Sequence, residues 1–117
     1  MIRETTMALL AERLGQVATE LRLDQADLAR ILGASPRTVA RWLQEETAPR
    51  RDTRERILEL VAVLNALSKT VHGQAAYDWL YSPIPALEHR KPADLLAQGR
   101  YREVLGAIDA LAEGVFV

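Results

Sequence analysis

Apolar residues recur along most of this chain at alternating steps of three and four, the repeat of one face of an α-helix. Met7, Leu10, Leu14, Val17 and Leu21 mark a first helix over about residues 6–21, with Thr5 or Thr6 placed to cap its start. Asp24 caps a short second helix through Leu32, with Leu28, Ile31 and Leu32 inward and Gly33 at its end. Ser35 followed by Pro36 opens a third helix to about Gln44, a cap and then a proline at the first helical position. The stretch EETAPRRD is a loop. Asp52 or Thr53 then begins a long fourth helix, with Ile57, Leu60, Val61, Leu64 and Leu67 on one face and His72-Gly73 at its close.

The second half continues in the same period. Residues 74–81 form a fifth helix ended by Ser82-Pro83, and Pro83 and Pro85 hold the next segment extended. Pro92 starts a sixth helix that ends at Gly99. The last, about 100–113, carries Tyr101, Val104, Leu105, Ile108 and Leu111, should pack on the fourth and fifth, and stops at Gly114. Nothing alternates with the period of a strand. The expected fold class is all-α: an N-terminal helical region, residues 1–56, joined by the long helix to a small helical lobe, residues 57–117. An aromatic shift marks the change. Trp42 is the only aromatic before Tyr77, and five lie at or beyond it.

Composition narrows the chemistry. The 117 residues are 49% hydrophobic, enough for one core and too few for two large ones. With no cysteine, thiolate metal sites, disulfides and cysteine nucleophiles are excluded. Two histidines, His72 and His89, are too few for a histidine-rich metal site, and His89 reads as a loop residue without an orienting partner. The isolated glycines make no phosphate loop, so no cofactor, catalytic residue or small-molecule substrate is expected. Nothing has the length or apolarity of a membrane span or a secretory signal, and the cytoplasm is the expected setting. Fifteen basic residues against sixteen acidic ones leave a formal charge of −1. Any nucleic-acid affinity must therefore come from a local patch.

Residues 25–43, QADLARILGASPRTVARWL, supply such a patch. Ala29 is small enough for close helix approach, Gly33 makes the turn, and Val39 with Trp42 and Leu43 fills the space beneath the third helix. That is the order of the helix-turn-helix template. Arg37, Thr38 and Arg41 then share the outer face of the third helix, where arginine can bond a guanine edge twice and threonine can meet a base. Gln25 and Ser35 sit at helix starts, where donors meet phosphate. Arg50, Arg51 and Arg54 form a second basic cluster that can follow the backbone. Glu45 and Glu46 oppose it, so tight binding calls for two copies on paired half-sites. This half resembles the Xre/Cro-type repressor domain, which implies operator DNA as a partner.

A repressor headpiece has no need of residues 74–117. The succession Trp79-Leu80, Ser82-Pro83, Leu87, a basic residue before Pro92, Asp94-Leu95-Leu96, Gly99, Val104 and Gly114 resembles the toxin-binding domain of Xre/MbcA/ParS-type antitoxins. The glycine followed by an apolar tail resembles the ending of one branch of that family. The resemblance implies a partner, a RES-domain toxin that consumes NAD, whose active site the antitoxin occludes while it represses its own promoter. It also implies a homodimer or a toxin–antitoxin hetero-oligomer. On this reading Leu87, Arg90 and Lys91 in the loop, and Gly114, Val115, Phe116 and Val117 at the end, face the toxin. Two alternatives stand beside it. Val115 can instead pack back on the helix end, and the chain can be a stand-alone regulator whose second lobe only dimerises.

Overall fold

The computed structural model describes the backbone of residues 2–114 and the side chains of residues 8–114. Among the described residues seven α-helices follow one another: α1 (Ile2–Glu20), α2 (Gln25–Leu32), α3 (Pro36–Leu43), α4 (Arg51–Ser68), α5 (Gly73–Leu80), α6 (Pro92–Ala97) and α7 (Tyr101–Ala112). A 3-10 turn (Pro85–Leu87) lies between α5 and α6, and Ile84 and Arg90 form a lone antiparallel bridge. The chain is all-α.

α4 is the shared wall. It packs against α1 on one side and α7 on the other, while α2 meets both α3 and α6. One apolar core therefore runs through both halves, from Leu10, Leu14 and Leu21 through Leu28, Ile31, Leu60 and Leu64 to Leu95, Leu96, Val104 and Ile108. Each such side chain, taken fully out of water, stabilises the fold by roughly 1.5–3 kcal/mol.

Several sequence expectations shift. α1 is already helical at Ile2, so neither Thr5 nor Thr6 is its cap; Met7's side chain lies outside the described residues. α4 begins at Arg51 with Arg50 as its cap residue and stops at Ser68 rather than at His72-Gly73. The Ser68 hydroxyl donates to the Asn65 carbonyl at 2.8 Å and the Thr70 hydroxyl to Ala66 at 3.3 Å, which diverts carbonyls of the last turn from the ladder. His72 becomes the residue before α5, and Gly73, at φ 56°, its first residue. The segment after α5 is a compact bonded loop rather than an extended strap, because Ile84 and Leu87 turn inward. α7 lies chiefly on α4 and α6, and α5 lies on α6. Leu105, assigned to the apolar stripe of α7, is exposed; Ala107 takes the inner position with Val104 and Ile108.

Candidate functional site

The front surface is built by local rules. The Asp24 carboxylate accepts from the Asp27 amide at 2.8 Å, and the Asp27 carboxylate accepts from the Asp24 amide at 2.9 Å, a reciprocal cap that fixes the start of α2. Donation from the Asp27 amide is the main reason the Asp24 carboxyl is held below its ordinary pKa. α2 ends at Gly33, whose φ of 69° lets the Ala34 amide reach back to the Ala29 carbonyl at 2.9 Å. Ser35 caps α3 by accepting from the Thr38 amide at 3.1 Å. Val39 is fully buried, with Trp42 and Leu43 half-buried beside the core, and this anchors the inner face of α3.

Arg37 and Arg41 are exposed on the opposite face. Thr38 is half-buried, and its hydroxyl lies 2.9 Å from that of Ser35, so the two hydroxyls occupy each other. Gln25 is exposed at the first turn of α2. Arg50 and Arg51 are exposed at the start of α4, Arg51 within 3.6 Å of Glu55, while Arg54 is half-buried. Exposed Glu45 and Glu46 follow α3 directly.

The rear surface combines a locally bonded loop with contacts to the core and to α7. In the loop before α6 the Ile84 amide donates to the Arg90 carbonyl at 3.1 Å, and the His89 amide donates to the Ile84 carbonyl at 3.0 Å. Leu87 is only 5% exposed, so it holds the loop to the core and offers no face to a partner, a correction to its expected role. Arg90 is also engaged. Its Nε donates to the Leu87 carbonyl at 3.1 Å, and its guanidinium lies 3.6 Å from Glu103 on α7. Lys91 is exposed as the residue that precedes α6. Gly114 takes φ 79° after α7; Val115, Phe116 and Val117 lie outside the described residues. No cluster that could hold a metal occurs among the described residues.

Two side chains that sequence reasoning missed tie front to rear. The Arg56 guanidinium, on α4, donates to the Ile31 carbonyl at 3.1 Å, the Leu32 carbonyl at 3.3 Å and the Ala97 carbonyl at 3.4 Å, and its Nε donates to the Tyr101 hydroxyl at 3.4 Å. One cation thus caps the carbonyl ends of both α2 and α6. The Tyr81 hydroxyl donates to Asp27 at 2.6 Å, and burial together with that bond pushes the phenol pKa upward. Arg30 lies 5.8 Å above the same ring. In the sequence, Arg56 is one of several arginines beside an apolar stripe, and only its neighbour Ile57 hints that it sits near the core.

Comparison with known proteins bears on both surfaces. Residues 66–114 match the family described as the antitoxin Xre/MbcA/ParS C-terminal toxin-binding domain, a span that opens inside α4 and takes in the whole rear loop. The mycobacterial cidal antitoxins MbcA of Mycobacterium tuberculosis and Mycobacterium bovis are each 44% identical to the chain over 108 residues, covering 92% of it and 96% of the relative. A probable mycobacterial cidal antitoxin of Mycobacterium tuberculosis is 29% identical over 93 residues, covering 80% and 79%. A chain in the crystal structure of the M. tuberculosis MbcT-MbcA toxin-antitoxin complex superposes with a TM-score of 0.83 at 44% identity, covering 92% of this chain and 97% of that one. The likeness runs through α4 into both halves, and on that ground the chain belongs to the Xre/MbcA/ParS family of antitoxins.

Proposed function

We propose that this chain is the antitoxin of a toxin–antitoxin pair. Its rear half binds a RES-domain toxin that consumes NAD and covers that toxin's active site, while its front half binds operator DNA and represses the operon that encodes both. One observation carries the reading: 44% identity over 92% of the chain to MbcA, in a fold that matches a chain of the MbcT-MbcA complex at a TM-score of 0.83.

The mechanism is steric. The chain supplies a surface and performs no chemistry of its own; NAD turnover belongs to the toxin. Lys91 and residues 115–117 form the approach. Phe116 is the compact aromatic anchor that concentrates binding energy in a small area.

On DNA, α3 acts as the recognition helix of a helix-turn-helix. Arg37 and Arg41 read base edges, and Gln25, Ser35, Arg50 and Arg51 meet phosphate. A formal charge of −1 and the acidic pair Glu45 and Glu46 make one copy a weak binder, so repression uses a homodimer or a toxin–antitoxin hetero-oligomer. The setting this requires is the cytoplasm, where NAD and operator are both present.

Co-expression with the neighbouring toxin gene tests the first half of the reading. Relief of growth arrest and co-purification are expected; arrest unrelieved by the antitoxin contradicts it. A mobility shift on the operon's own promoter tests the second. Binding should be lost in the Arg37→Ala/Arg41→Ala double variant, and a shift unchanged by it would remove α3 from the interface.

A further inference from the structure

Four non-glycine residues among those described hold a positive φ: Arg22 at 60°, Glu45 at 61°, Glu88 at 58° and His89 at 63°. Arg22 and Glu45 stand singly past the ends of α1 and α3. There a left-handed residue lets the next amide turn back, Leu23 to the Ala18 carbonyl at 2.8 Å and Glu46 to the Arg41 carbonyl at 2.9 Å. Both have an ordinary helix-ending role.

Glu88 ends the 3-10 turn in the same way, but His89 carries the left-handed backbone one residue further. They are consecutive, and both are exposed. The β-carbon of each is crowded against its own carbonyl in this conformation, which glycine would adopt freely. The surroundings hold them there. Ile84 and Arg90 bridge across the pair, the Glu88 amide donates to Pro85 at 3.1 Å, and Leu87 plugs the loop into the core. The Arg90 guanidinium reaches Glu103 at 3.6 Å and Glu88 at 3.7 Å. A loop that only had to reverse the chain would place glycine here and dispense with this bracing. Strained backbone that neighbours over-determine marks a place where the side chains themselves are needed.

We infer that Glu88 and His89 form a preset recognition ridge for the toxin, an inference that rests on the antitoxin reading above. The ridge is held by bonds rather than ordered on contact, so docking loses little conformational freedom. Its chemistry is a carboxylate beside an imidazole, with the exposed Lys91 next to it. That set fits a polar patch on a folded protein presenting a cation to Glu88 and a hydrogen-bonding group to His89. A shallow groove lined by Ala86, Glu103, Gly106 and Ala110 flanks it and leaves room for a side chain of the partner.

The test uses the full chain, its paired toxin and two double variants. Asparagine tolerates the left-handed region, so Glu88→Asn/His89→Asn keeps the backbone while removing the ridge; Glu88→Gly/His89→Gly relieves the crowding outright. Thermal unfolding should show the asparagine pair melting roughly 4 °C higher than the unaltered chain, while calorimetric titration shows toxin affinity weakened at least tenfold in both. Affinity within twofold of the unaltered chain overturns the inference. So does a lower melting temperature in both variants, since the pair would then carry no strain. If the unaltered chain fails to bind the toxin, the antitoxin reading falls first and this one with it.

Discussion

Between α2 and α3 the backbone enters the left-handed region at Gly33, at φ 69°; between α5 and α6 it does so at Glu88 and His89, at φ 58° and 63°. The first turn is relaxed and specified by its own residues: a reciprocal aspartate cap before it, glycine within it, serine and proline after it. The second is crowded and is held both by bonds among residues 84–90 and by packing on other elements, with Leu87 in the core and Arg90 against Glu103 of α7. A turn of the first kind only has to set the angle of α3. A turn of the second kind fixes particular side chains at a surface, and it depends on the packing behind it.

That contrast can be broken most forcefully through the rear core. Leu96, fully buried in α6, should cost about 3 kcal/mol on change to alanine, measured by denaturant unfolding. Amide exchange should accelerate in the 84–91 loop more than at Gly33 and Ala34. Equal acceleration would mean that the two turns are equally dependent on the core. Arg56→Met comes next, at about 2 kcal/mol, because it strips a charged donor from the carbonyl ends of both α2 and α6. It should loosen both turns together.

Gly33→Ala is a sharper probe. An added β-carbon would lie 3.7 Å from the Arg56 Nη1, an ordinary contact, so only the backbone penalty of about 1 kcal/mol remains. The sign should be opposite to that of asparagine at Glu88 and His89. An effect of similar size belongs to Asp24, and it depends on pH. Its folded carboxyl lies below the ordinary value of 3.8, so its contribution is present above that pH and is lost as pH falls through the folded value. Asp24→Ala should cost about 1 kcal/mol at neutral pH. The difference from the unaltered chain should shrink in urea titrations taken below pH 3.8.

What the sequence made legible follows the same division. Asp24, Gly33 and Ser35-Pro36 act on neighbours within four residues, so α2, its turn and α3 were readable from spacing alone. The end of α4 was not. Val71 continues the apolar stripe past Leu67, yet the helix stops at Ser68, where the hydroxyls of Ser68 and Thr70 turn onto earlier carbonyls. Leu87 was legible as a marked residue but not as a buried one, because its burial depends on α7 lying beside the loop. Arg56 and the Tyr81–Asp27 bond join residues 24 to 54 positions apart, a distance at which periodicity carries no information.

The central claim is that the chain acts by covering another protein's catalytic opening. Titrating the purified full-length chain into its paired toxin while NAD consumption is followed tests it directly. The account predicts turnover falling in proportion to added chain and ceasing at a fixed stoichiometric ratio. Turnover that persists unchanged at a several-fold excess of chain would contradict it.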